Sequence, residues 1–92
     1  MTIMMKRKTK IDLNDPANAW TTYDLGVAAA LLCLGCDLLS LDRANPRKVL
    51  FVFHRVEKID DIANAYVADR LELNARAFFD QLKALKNRLY SE

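Results

Sequence analysis

The sequence predicts a single small α+β domain in which a helix, two antiparallel strands and two further helices follow one another. Three observations indicate this class. Residues 25–34 are almost continuously apolar and end at Gly35. Residues 48–54 are rich in β-branched and aromatic side chains and follow turn-forming residues at 42–47. The remaining chain carries apolar residues at helical spacing, and 92 residues suffice for only one domain.

The first helix is expected to start after Thr22, whose hydroxyl is a suitable N-cap, with Asp24 near the positive end of the helix macrodipole. Apolar side chains surround this helix on nearly all sides, so we expect it at the centre of the core. Gly35 fits the C′ position, where a residue in the left-handed conformation ends a helix.

Two strands follow, at residues 36–41 and 48–54, and the proline between them favours a turn, so the pair is predicted to be an antiparallel hairpin. The second strand is apolar on both faces, and a two-stranded hairpin is not stable alone. We therefore expect a third short strand near residues 20–23 or 9–13, or a homodimer that covers the sheet.

The second helix is predicted over residues 56–66, and Asn74 is a suitable N-cap for the third. One stripe of the third helix is apolar and is expected to face the core. Its members are Phe78, Leu82, Leu85 and Leu89.

The net charge of +2 comes from the N-terminal segment. Residues 1–19 lack any periodicity and hold four bases and two acids, whereas residues 20–92 hold ten of each. We interpret residues 1–19 as a mobile basic arm and residues 20–92 as the folded domain. The longest run without charged residues is twelve residues, at 25–36, against the ~20 that a membrane span needs. With no signal-peptide pattern and two cysteines, we expect a reducing, cytoplasmic location.

Several short motifs occur together between residues 20 and 91. They are Thr22-Tyr23-Asp24-Leu25, Ala28-Ala29-Ala30-Leu31, Leu41-Asp42-Arg43 with Asn45-Pro46, Phe51-Val52-Phe53, Phe79, and Leu85-Lys86 to Leu89-Tyr90. Together they resemble a family of short domains of unknown function from bacteria, their phages and other mobile elements. The resemblance implies a fold and brings no catalytic or ligand-binding residue. Gly26 stands where the family leads us to expect a larger residue, which leaves room for a close neighbour.

Cys33 and Cys36 have the spacing of a redox or metal-binding pair. They stand at a predicted helix C-terminus, where the macrodipole disfavours the thiolate that redox chemistry needs. Zinc would need two more ligands, and His54 is the only histidine. We therefore interpret both cysteines as core residues and His54 as a solvent-facing strand end.

Three acids, Glu57, Asp60 and Asp61, lie in the first turn of the second predicted helix. Adjacent residues on a helix diverge by ~100°, so Asp60 and Asp61 do not converge on one metal ion or substrate atom. We interpret the three acids as favourable charges at a helix N-terminus.

Basic residues on the arm and around the hairpin raise the alternative of nucleic-acid binding. The aromatic hairpin strand is similar to that of RNA-recognition modules, although Phe51 and Phe53 are expected in the core. Three phosphate contacts give a salt slope of only about −2.7, and the arm raises the contacts to about seven. Any binding should therefore be weak. The residues concerned are Lys6, Arg7, Lys8, Lys10, Arg43, Arg47, Lys48 and Arg55.

These observations favour a small interaction module over an enzyme. We expect no catalytic residue, cofactor, metal or small-molecule substrate. The leading expectation is a protein partner or self-association in the context of a phage or mobile element, because the main strand is apolar on both faces and the domain is neutral. A weak nucleic-acid-binding accessory protein is the alternative.

Overall fold

The computed structural model describes residues 17–91, which contain three strands and three helices. In chain order they are β1 (Ala19–Thr22), α1 (Leu25–Cys33), β2 (Leu38–Asp42), β3 (Leu50–His54), α2 (Ile59–Val67) and α3 (Ala75–Ser91). The α+β prediction is confirmed, with one strand added in front of the expected order. No helix among these residues is long and apolar enough to cross a membrane.

The sheet has the strand order β1–β3–β2 and is antiparallel throughout. β2 and β3 form the predicted hairpin, and β1 is the third strand expected near residues 20–23. The alternative third strand, at residues 9–13, lies outside the described residues. β2 begins at Leu38 rather than residue 36, because the preceding residues complete the helix C-terminus, and a bulge interrupts its pairing between Leu38 and Ser40.

The core lies between one face of this sheet and the three helices. Phe51 and Phe53 are buried on that face and belong to one apolar cluster with residues from α1, α2 and α3. α1 packs against both other helices and is central, as its apolar sequence predicts. Val52 points to the opposite face, where its cross-strand neighbours are Thr21 and Ser40.

The N-cap of α1 corrects the sequence interpretation. Asp24, not Thr22, is the cap, and its carboxylate accepts a hydrogen bond of 3.0 Å from the Val27 amide. Thr22 is the last residue of β1, and its hydroxyl accepts a bond from the Asp24 amide instead. The strand therefore extends up to the residue that sequence alone assigns to the cap.

The C-terminus of α1 ends as predicted, at Gly35 with φ +87°. The Cys36 amide donates to the Leu31 carbonyl at 2.9 Å, and the Gly35 amide donates to the Leu32 carbonyl at 3.1 Å. This pair of bonds is the Schellman motif. It turns the chain directly from the central helix toward the edge strand β2.

Gly26 meets the close neighbour that the sequence led us to expect. A Cβ atom at this position would lie 2.1 Å from the Tyr66 hydroxyl and 3.0 Å from its Cζ atom. Tyr66 belongs to α2, and its ring also contacts that of Phe78, at 6.4 Å between centroids. The glycine therefore lets α2 approach the start of α1.

α2 begins at Ile59, later than the predicted residue 56, because the Arg55 amide still donates to the Asn18 carbonyl beside the sheet. The Asn74 cap of α3 is confirmed, since its side chain accepts a bond of 2.9 Å from the Ala77 amide. The predicted apolar stripe of α3 is also confirmed, with Leu85 buried and the other three members packed against the core.

Candidate binding surfaces

Two hollows lie side by side where α1 ends and β2 begins. The first, of about 500 Å³, lies between β2 and α3 and is walled by Leu39, Gln81 and Ala84. The second, of about 440 Å³, lies beside α2 and is walled by Leu34, Val56 and Ile62, with Lys58 at its rim. Cys36 and Asp37 line both. We call this surface the paired hollows.

The walls of the paired hollows expose apolar surface. Leu34 is 46% exposed, and Leu39 and Val56 are each 38% exposed. Seven large apolar residues are exposed among residues 17–91, and three of them therefore line this one surface. Leu39 lines the first hollow, and Leu34 and Val56 line the second. Exposed apolar residues grouped around hollows with a polar rim favour a protein-interaction site.

Cys36 is the floor that the two hollows share, and it is buried. Burial raises the pKa of the Cys36 thiol, the neighbouring Asp37 carboxylate raises it further, and Lys58 partly opposes them. Burial also raises the pKa of the Cys33 thiol. Both cysteines are free thiols. Cys36 fits the interpretation as a core residue, whereas Cys33 is only half-buried.

The other residues that sequence analysis weighed for chemistry are dispersed. His54 is half-buried at the end of β3, where its amide donates to the Asp37 carbonyl. Asp60 accepts hydrogen bonds from the Trp20 indole, at 2.8 Å, and from Arg55, at 2.9 Å. Asp60 therefore ties the start of α2 to β1, and Glu57 lies before the helix. No group of metal-binding side chains occurs within residues 17–91.

The bases predicted for nucleic-acid binding do not form a single patch. Arg55 is paired with Asp60 and lies at the end of β3 remote from the hairpin loop. Arg43, Arg47 and Lys48 lie together in that loop, and Arg43 donates to the Leu89 carbonyl at 3.1 Å. The arm bases Lys6, Arg7, Lys8 and Lys10 lie outside the described residues.

A family model described as a domain of unknown function, DUF5659, matches residues 17–91. The chain belongs to the DUF5659 family. The match covers every described element of the fold and extends slightly beyond the predicted range of 20–91. No curated protein and no solved structure matches the chain.

Within this DUF5659 domain, sequence reasoning missed the paired hollows. Leu34, Leu39 and Val56 lie up to 22 positions apart in the chain, and only the Schellman turn and the packing of α2 bring them together. The available signal was the position of Leu34 next to Gly35, because residues at a helix C-terminus often remain partly exposed.

Proposed function

We propose that this domain is a non-catalytic interaction module that binds a partner protein through the paired hollows. The observation that carries the proposal is the concentration of three exposed apolar residues around two adjoining hollows. Apolar side chains of a partner that enter such hollows remove hydrophobic area from water, which contributes about 25 cal/mol per Å².

The polar groups of the surface describe the partner further. Asp37 lines both hollows, and Lys58 lines only the second. A complementary partner segment carries two apolar side chains, one for each hollow. A basic residue between them faces Asp37, and an acidic residue beside the second apolar side chain faces Lys58. A twofold contact centred on Asp37 would bring two like carboxylates together, which favours a different protein over a second copy of this chain.

Binding rather than catalysis is supported by the chemistry of the lining. Of the described residues that line the paired hollows, Cys36 alone carries a thiol and none carries a hydroxyl, and the raised pKa of Cys36 favours the unreactive thiol. The two free thiols support a reducing, cytoplasmic setting. A role in a phage or mobile element is part of the proposal and rests on the sequence resemblance.

Selection of peptides from a displayed random library tests the proposal. Selected peptides should lose at least tenfold in affinity for a Leu34→Gln/Val56→Gln variant. Val67→Gln is the matched control, because Val67 is 74% exposed and lies outside the hollows, and it should leave the affinity unchanged. Equal loss in the control and the test variant, or binding insensitive to both, would refute the assignment.

Sedimentation equilibrium separates the two kinds of partner. If the wild type forms a dimer that the Leu34→Gln/Val56→Gln variant dissociates, then the occupant of the hollows is a second copy. A monomer that binds the selected peptides supports a different partner protein.

A further inference from the structure

The positive and negative charges of this nearly neutral domain are separated in space. The hairpin loop, residues 43–49, and the C-terminal two thirds of α3, residues 81–91, adjoin through the hydrogen bond from Arg43 to the Leu89 carbonyl. With Asp42, these segments hold six bases and one acid, a net charge of +5. The other described residues hold four bases and eight acids, a net charge of −4. We call the positive part the basic end. Its bases are Arg43, Arg47, Lys48, Lys83, Lys86 and Arg88.

Exposed aromatic rings accompany these bases. Phe79, Lys83, Lys86 and Tyr90 are spaced as one stripe of α3, adjacent to the buried stripe. Phe79 is 56% exposed and Tyr90 is 86% exposed. The Lys83 ammonium lies 5.8 Å from the centre of the Phe79 ring. At 1.5 Å per residue, the two rings are about 16 Å apart along the helix, with both lysines between them.

A third exposed ring lies beside the hairpin loop. Tyr23 follows β1 and is 49% exposed, and the Lys48 ammonium lies 4.6 Å from the centre of its ring. Of the three exposed aromatic residues within 17–91, Tyr23 and Phe79 therefore lie beside a lysine, and Tyr90 follows Lys86 by one helical turn. Interleaved cations and planar rings are the features with which proteins bind single-stranded nucleic acids.

We infer that the basic end binds single-stranded nucleic acid, with phosphates at its lysines and arginines and unpaired bases stacked on its Tyr90 and on Phe79, one helical turn before Lys83. A second copy of the chain fits poorly, because antiparallel pairing of the stripe sets Lys83 against Lys86. An acidic peptide satisfies the cations but supplies no planar groups for the rings. A nucleic acid supplies both.

The expected strength of this interaction follows from the number of cations. A single strand contributes a salt slope of about −0.7 per phosphate neutralised, so six contacts give about −4. The four arm bases would take the slope to about −7 in the whole chain. Binding is therefore expected at low salt and should weaken steeply as salt is added.

Fluorescence anisotropy of a labelled twelve-residue oligothymidylate on the full chain tests the inference. Changing Lys83 and Lys86 to Ala should reduce the salt slope by about 1.4, and Tyr90→Ala should weaken binding at least fivefold. Arg70→Ala/Arg76→Ala removes the same charge elsewhere, outside both the basic end and the paired hollows, and should leave the affinity within twofold. An abasic oligomer of equal charge should bind more weakly than oligothymidylate, and polyglutamate more weakly than either.

Three outcomes would overturn the inference. The first is equal loss in the Lys83/Lys86 and Arg70/Arg76 variants, which would indicate a response to net charge alone. The second is equal binding of polyglutamate and oligothymidylate, which would indicate an acidic protein as the ligand. The third is binding that is lost when Lys6, Arg7, Lys8 and Lys10 are changed to Ala but whose affinity does not change when Lys83 and Lys86 are changed to Ala. The inference is independent of the proposed function, because Arg88 is the only base of the basic end that also lines the paired hollows.

Discussion

Replacing Gly26 with alanine should destabilise the domain, although the same change in most helices is stabilising. The added Cβ would lie 2.1 Å from the Tyr66 hydroxyl, and ordinary contact begins at about 3.4 Å. The hydroxyl must therefore retreat by more than 1 Å. Its ring is held by the contact with Phe78, so the retreat disturbs the packing of α2 and α3.

The magnitude is the difference between two opposing terms. Overpacking of this kind costs about 1–3 kcal/mol. Alanine recovers about 0.5–1 kcal/mol of backbone entropy that glycine loses in a helix. We expect a net loss of about 0.5–2 kcal/mol for Gly26→Ala. In a Tyr66→Ala background only the approach to the Asp24 carboxylate, at 3.2 Å, remains, so the same change should no longer destabilise and should stabilise by at most about 1 kcal/mol.

Urea unfolding of the four proteins in this double-mutant cycle measures the free energies directly. The single tryptophan, Trp20, reports on unfolding, because its indole is bonded to Asp60 only in the folded chain. A Tyr66→Phe background should give an intermediate result, since the ring atom at 3.0 Å remains. Destabilisation of equal size with and without Tyr66, or stabilisation in the wild type, would refute the steric explanation.

Three further predictions concern local structure. Asp24→Ala and Asn74→Ala each remove a helix cap and should each cost about 1 kcal/mol in thermal unfolding, and Asp or Asn exchange at either position should restore most of it. Gly35→Ala should cost about 1–2 kcal/mol through its backbone conformation alone, because no atom lies within 4 Å of the added Cβ; substitution with Asn should cost less. Cys36 should react with iodoacetamide more slowly in the folded chain than in the urea-unfolded chain, because folding raises its pKa; equal rates in the two states would contradict this. The folded chain holds this proton more tightly than the unfolded chain, so stability should fall as pH rises above the ordinary thiol pKa.

Local patterns in the sequence predicted most of the fold. Gly35, Asn74 and the apolar stripe of α3 act within one helix, so their roles could be inferred from neighbouring residues. The hairpin was also predictable, because turn residues separate two strands close in sequence. The predicted position of the α1 N-cap was wrong by two residues. β1 is short and extends to Thr22 only through its pairing with β3, which the local sequence does not reveal.

The surfaces were harder to predict because they depend on contacts between distant segments. Arg43 meets the end of α3 across 46 positions, and Trp20 meets Asp60 across 40. Counting bases and acids over residues 20–92 as one segment gave a net charge of zero, and this count could not reveal that the bases gather at the basic end. Only the packing of α3 beside the hairpin brings the bases of both segments to one side.

The order of strands also affects how the domain forms as it is synthesised. Asp42 and Leu50 pair across eight positions, whereas Thr22 and Phe51 pair across 29. β1 therefore leaves the ribosome early and has no partner until β3 has followed it, and closing the longer loop costs additional chain entropy. A strand that waits in this way can meet β3 of a neighbouring nascent chain. Exchange of β1 between copies is consequently the misassembly to which this topology is most exposed at high expression.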